Sequence, residues 1–179
     1  IHCEVEIIKN IPLGGGSGGG SSNAAAALIG TNFLFKLGLS AQELMLLGEK
    51  LGADVPFFIF GKNAFASGIG EILAEENNHI DDKYLLLFPQ IHSSTKELFS
   101  KWDDLNESAQ ELILINEENS FLPIFLDQNQ EVKTIFHELC ESSSFKLSGT
   151  GSTIFCAYND VNKNKKTLKK IPSKWRHSF

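Results

Sequence analysis

Apolar residues along this chain change their period several times, and each change marks an element. Over residues 5–11, β-branched side chains recur in a period suited to a strand. Residues 24–28 are strong helix formers, and the helical spacing runs to 37, where Gly38 stops it. Ser40 opens a second helix through Lys50, closed by Gly52. Residues 55–60 form a compact apolar run that predicts a buried strand, with 63–67 pairing to it across a turn near Gly61.

A composition shift follows. Residues 75–83 are acidic and contain Asn, which reads as a connection between domains. Beyond it the pattern predicts a strand at 84–88, a helix at 94–102, and helical periodicity over 107–114 and 129–141, with Ile135, Phe136 and Leu139 facing a core. Extended segments at 145–147 and 152–158 flank Ser148-Gly149-Thr150-Gly151; a helix is expected over 161–171, and 174–179 starts a last strand. There is no internal repeat, and the order of elements supports an α+β class.

Between the first strand and the first helix lies Pro12-Leu13-Gly14-Gly15-Gly16-Ser17-Gly18-Gly19-Gly20-Ser21-Ser22-Asn23. Out of context this run would pass for a flexible tether. Its flanks argue for a strand, glycine loop and helix unit, with Ser21, Ser22 and Asn23 expected as helix N-caps. Such a unit binds anions, because glycine lets the backbone approach a ligand and the first helical turn leaves N–H groups unpaired at a positive dipole end. No Gly-Lys-Ser or Gly-Lys-Thr closes the run, so it is not a Walker loop. Glu43, near the spacing of a ribose-binding acid, sits in a helical pattern instead.

The chain has 179 residues, 42% of them hydrophobic, enough for one domain or two small ones. Its longest apolar runs fall far short of the roughly 20 residues that cross a bilayer. No signal peptide is visible, and the chain begins at Ile1, so an N-terminal portion is expected to be missing. A formal charge of −6 disfavours a broad nucleic-acid surface. Lys163, Lys165, Lys166, Lys169 and Lys170 read as a solvated helix face. Cys3, Cys140 and Cys156 form no Cys-x-x-Cys pair and read as reduced thiols of a cytoplasmic protein.

The candidate for chemistry is Asp54, in Leu51-Gly52-Ala53-Asp54-Val55-Pro56. A carboxylate there could accept a proton from an alcohol or help to hold a metal ion. It could equally make the local hydrogen bonds that Asp makes in turns. Position alone does not choose.

Three ordered motifs, from Pro12 through Ala25, from Leu51 through Phe58 and from Leu147 through Ser152, closely resemble the galactokinase, homoserine kinase, mevalonate kinase and phosphomevalonate kinase (GHMP) superfamily. The likeness is to its isoprenoid-pathway branch, and the segment Gly68-Ile69-Gly70-Glu71 also matches. The resemblance implies ATP-dependent phosphorylation of the 2-hydroxyl of a cytidine-diphosphate-linked methylerythritol, with Mg²⁺. It implies that residues 12–22 wrap the ATP triphosphate with Lys9 and Asn23 near the nucleotide, and that Asp54 accepts or orients the proton of the attacking hydroxyl. Gly149, Thr150 and Gly151 would return beside the phosphate loop. Thr95 and Phe99 match cytidine-contacting positions, although Phe99 also reads as a core residue. Other readings are another superfamily kinase, or a noncatalytic ATP-binding module.

The resemblance further implies two domains, 1–80 with the nucleotide loop and 81–179 with a split-βαβ sheet, and a site between them. The family's N-terminal strands, with a lysine and a Gly-Tyr-His segment, have no counterpart here, and Lys9 is not that lysine. The chain is therefore read as an internal fragment, expected to be inactive alone.

Overall fold

A computed structural model describes residues 2–68, 70–77, 83–108, 119–158 and 167–179. It divides into two compact units, one made of Ile1–Leu13 and Gly18–Ile80, the other of Gly14–Ser17 and Asp81–Phe179. Four residues of the glycine run thus belong with the second half of the chain.

The first unit is built on three helices. Helix α1 spans Gly19–Leu34, α2 Ala41–Glu49 and α3 Val55–Phe60, and all three pack on one another. Helix α1 begins five residues earlier than its composition predicts. Its N-cap is Gly18, in the left-handed region at φ 65°, so Ser21, Ser22 and Asn23 lie inside the first turns and do not cap. A glycine can enter that conformation without the steric penalty a Cβ brings. The helix stops at Leu34, ahead of the expected 37, and Asn32 ties down the exit by bonding both the N–H and the C=O of Leu39.

At α2 the sequence is explicit. Ser40 and Glu43 form a capping box, in which Ser40 Oγ accepts from the Glu43 N–H and Glu43 Oε2 accepts from the Ser40 N–H at 2.8 Å. These bonds from Ser40 hold the Glu43 carboxyl below its usual range.

Two predicted strands are not strands. Residues 55–60 form α3, with Pro56 in the first turn and Gly61 at φ 67° ending it. Proline is pre-organised for a helix start, and a helix satisfies its own backbone where a strand needs a neighbour. Residues 5–11 have no regular structure, and Val5, Ile7, Ile8 and Ile11 are at least half exposed. Strand β1, Ala64–Ser67, pairs antiparallel with β2, Ile72–Glu75, in place of the expected partner at 55–60.

The second unit carries a four-stranded antiparallel sheet. Strand β3 is Tyr84–Phe88, β4 Lys146–Leu147, β5 Ile154–Ala157 and β6 Arg176–Ser178, in the spatial order β4-β5-β3-β6. Because β5 is antiparallel to both neighbours, β4 runs parallel to β3 with β5 inserted between them, which is the split-βαβ arrangement. Three helices follow β3: α4, Thr95–Ser108; α5, Leu122–Gln128; and α6, Gln130–Cys140. Helix α4 is longer than expected, and residues 107–108 are its last turn; 109–114 lie outside the described residues. Helix α5 is not apparent in the sequence pattern. Of the helix expected over 161–171, residues 167–170 are helical and the earlier ones lie outside the description, as do Lys163, Lys165 and Lys166.

Here the core is continuous. Leu85 and Leu87 from one face of β3 meet Val132, Phe136 and Leu139, spaced 4 and 3 apart on α6, together with Phe125 of α5 and Ile154 of β5. Burying each such side chain contributes about 1.5–3 kcal/mol. Ile135 packs against the rim of this cluster.

Candidate functional site: a glycine loop held by a second turn

The glycine run has two halves with different neighbours. In the first unit, Gly18 stands where α1 begins, and a Cβ on it would lie 2.5 Å from the ring of Phe58 on α3. Ser22 N–H donates to Gly18 O at 2.8 Å, closing the first helical turn. The N–H groups of Gly19, Gly20 and Ser21 precede that bond, and first-turn amides of this kind have no partner within a helix. Lys9 Nζ reaches Gly19 O at 3.5 Å from an exposed position.

Residues 14–17, in the second unit, are held against the turn after β4. Thr153 N–H donates to Gly15 O and Ser148 Oγ–H to Gly16 O, each at 2.9 Å. A Cβ on Gly16, which has φ 68°, would lie 2.2 Å from Ser148 O. Only glycine fits there. The turn itself is closed by Gly151 N–H to Ser148 O and by Ser148 N–H to Thr153 O, both 2.9 Å.

Thr95 and Thr150 are also brought together, sharing a hydrogen bond of 2.9 Å between hydroxyls. Ser93 Oγ–H donates to Thr150 O, and Ser152 Oγ–H to Ile91 O at 2.9 Å, so the segment after β3 is stitched to the Ser148–Gly151 turn. Phe99, on α4, meets Phe121 edge to face with ring centres 4.7 Å apart, yet stays 49% exposed. One side of the ring is packed and the rest remains open, so it is not a core residue in the full sense.

Asp54 is exposed, immediately before α3 at φ −84°, and makes no capping hydrogen bond with its side chain. Among the described residues, no group of three His, Cys, Asp or Glu side chains could hold a metal. No helix among them is long and apolar enough to cross a membrane.

Sequence reasoning missed several residues of this region. His92 lies against Gly14, where a built Cβ would come within 2.8 Å of its Nδ1. Asn119 bonds to Leu147 O and Gly149 O. A signal for Asn119 exists in Asn-Ser-Phe-Leu-Pro, since Asn three residues before a helix that opens on Leu-Pro favours a side-chain turn; nothing in the pattern points to His92.

A glycine loop that leads into a helix N-terminus, braced by a second glycine turn beside a split-βαβ sheet, is the architecture of a class of small-molecule kinases. Residues 1–62 match the model of the GHMP kinases N terminal domain. The chain is similar to curated proteins named 4-diphosphocytidyl-2-C-methyl-D-erythritol kinase. It is 42% identical over 185 residues to the enzyme of that name from Ruthia magnifica subsp. Calyptogena magnifica, covering 96% of this chain and 63% of the relative. The corresponding protein of Tolumonas auensis is 38% identical, covering 98% and 62%, and that of Francisella tularensis subsp. tularensis 40%, covering 96% and 63%. The chain thus spans about 63% of the length of these curated relatives. A crystal structure of 4-(cytidine 5'-diphospho)-2C-methyl-D-erythritol kinase shares the fold, with a TM-score of 0.71 and 24% identity over 94% of this chain and 67% of that one.

Proposed function

We propose that the full-length protein is an ATP-dependent kinase that phosphorylates the 2-hydroxyl of 4-diphosphocytidyl-2-C-methyl-D-erythritol in isoprenoid precursor synthesis. The observation that carries this reading is the glycine run, whose first half is fixed by hydrogen bonds from Ser148 and Thr153 while its second half opens α1. In this reading residues 12–23 hold the triphosphate. Backbone N–H groups fixed before the substrate arrives need no reorganisation as charge develops on the transferring phosphoryl group.

Asp54 accepts or orients the proton of the attacking hydroxyl. Its exposed carboxylate is free of a capping bond and stands at the head of α3, the helix that packs on the start of α1. Thr95 and the open side of Phe99 face the cytidine group, where an aromatic ring can stack on a base. Mg²⁺ fits such a site through phosphate oxygens with few protein ligands, as is usual for this ion, and when bound it neutralises phosphate charge. Cys3, Cys140 and Cys156 are not joined in disulfides, which suits a reducing cytoplasm.

Asp54→Asn in the full-length protein should lower kcat by about 10²–10⁴-fold while leaving ATP affinity within a few-fold, the signature of a group that acts mainly in the transition state. Steady-state kinetics with ATP and the diphosphocytidyl alcohol would check this. Normal turnover by the variant would remove Asp54 from the mechanism, and failure of the wild type to accept a cytidine-diphosphate ligand would move the protein to another branch of the superfamily.

A further inference from the structure

Asn119 lies between the end of the segment after α4 and the start of α5, in none of the motifs that carry the family likeness. Its side-chain amide nevertheless makes three hydrogen bonds. The Nδ2 group donates to Leu147 O at 3.0 Å and to Gly149 O, and Oδ1 accepts from the Phe121 N–H at 2.9 Å. Both amide hydrogens are spent on the carbonyls that flank Ser148.

The consequence passes along bonds already described. Ser148 and Thr153, the residues on either side of the turn, hold Gly16 O and Gly15 O. Gly149 approaches the same strand of the loop, with a built Cβ 3.2 Å from Gly16 O. A shift of Gly149 toward the glycine run is therefore felt at Gly16.

We propose that Asn119 is a positioning residue for the phosphate loop, acting through the 147–149 backbone on Gly15 and Gly16; this rests on the reading of residues 12–23 as an ATP triphosphate site. The competing role is local. Asn119 O accepts from the Leu122 N–H at 3.0 Å and Oδ1 from Phe121, so the residue also shapes the turn into α5. Aspartate separates the two roles, because it keeps the acceptor facing Phe121 and loses both donors, setting carboxylate oxygens against two carbonyls.

The test uses Asn119→Asp in the full-length protein. Its KM for ATP should rise at least ten-fold, with the KM for the diphosphocytidyl alcohol within two-fold of wild type and the melting temperature within a few degrees. Hydrogen exchange supplies a second arm that needs no nucleotide: the Gly151 and Thr153 amides should lose protection while those of α6 keep theirs. Unchanged ATP KM in a folded variant would overturn the proposal, as would a loss of protection spread over the whole second unit. If the wild type itself neither binds nor turns over ATP, the triphosphate reading fails, and the exchange arm alone still decides whether Asn119 braces Gly15 and Gly16.

Discussion

The two units solve the problem of stability in opposite ways. The second buries a continuous cluster in which Leu85, Leu87, Phe125, Leu139 and Ile154 are fully enclosed. The first encloses little beyond Ala25, Leu44 and Val55, and leaves Phe33 85% and Ile8 80% exposed. In it α2 is held by a capping box, and α1 starts with Gly18 close against Phe58 of α3. Local stability in proteins follows buried apolar contact, and ligand-binding elements are drawn from its low end. The candidate catalytic carboxylate and the opening of α1 sit in the thinly cored unit, while the half of the loop with the tightest steric demands is assigned to the well-cored one.

This contrast can be broken by truncating one enclosed side chain in each unit. Phe125→Ala removes the ring packed under Gly151 and should cost about 3–5 kcal/mol, whereas Leu44→Ala should cost about 2 kcal/mol. Denaturant unfolding followed by hydrogen exchange would assign each loss to its unit. Equal losses, or a single transition shared by both, would show that the units do not differ as described.

A smaller effect is expected at the loop. Gly18→Val forces a branched side chain into the left-handed region and onto Phe58, a strain of about 1–3 kcal/mol confined to the first unit. ATP affinity of the full-length protein should fall with it, measured by calorimetry, and unchanged affinity would restore the tether reading of the run.

The smallest effect is acid sensitivity, which touches both units. Glu43 is held below its usual range by Ser40, Asp127 by Lys133 and Glu141 by Lys170. A depressed carboxyl contributes stability that is present above its unfolded pKa and lost as pH falls through the folded one. Melting temperature should therefore decline as pH drops below about 4. The triple Glu43→Gln, Asp127→Asn, Glu141→Gln variant should show a shallower decline. All three groups are exposed, so the difference will be slight.

What was legible in the sequence follows from what kind of constraint each residue answers. The need for glycine at 16 and 18 is written directly in the residue type, and so is the box at Ser40 and Glu43. Residues 55–60 misled because a six-residue apolar run has no period of its own; Pro56 was the cue, since it favours the first turn of a helix over a central strand. Residues 5–11 have strand composition, but a strand exists only through pairing, which no composition guarantees. Helix α5 is a single short apolar run broken by Pro123, too brief for a helical stripe to show. Asn119 announces only its turn into α5, not its bonds to the 147–149 backbone. Its targets are backbone carbonyls, and every residue has one.

The bonds that seat Gly15 and Gly16 also make a latch. Two hydrogen bonds of about 1 kcal/mol each would leave the seat open on the order of a few per cent of the time. Opening it requires no unfolding. A nucleotide that prefers the seated form would close it at a cost of only a few RT, so the rigid half of the loop is rigid in shape and still quick to let go.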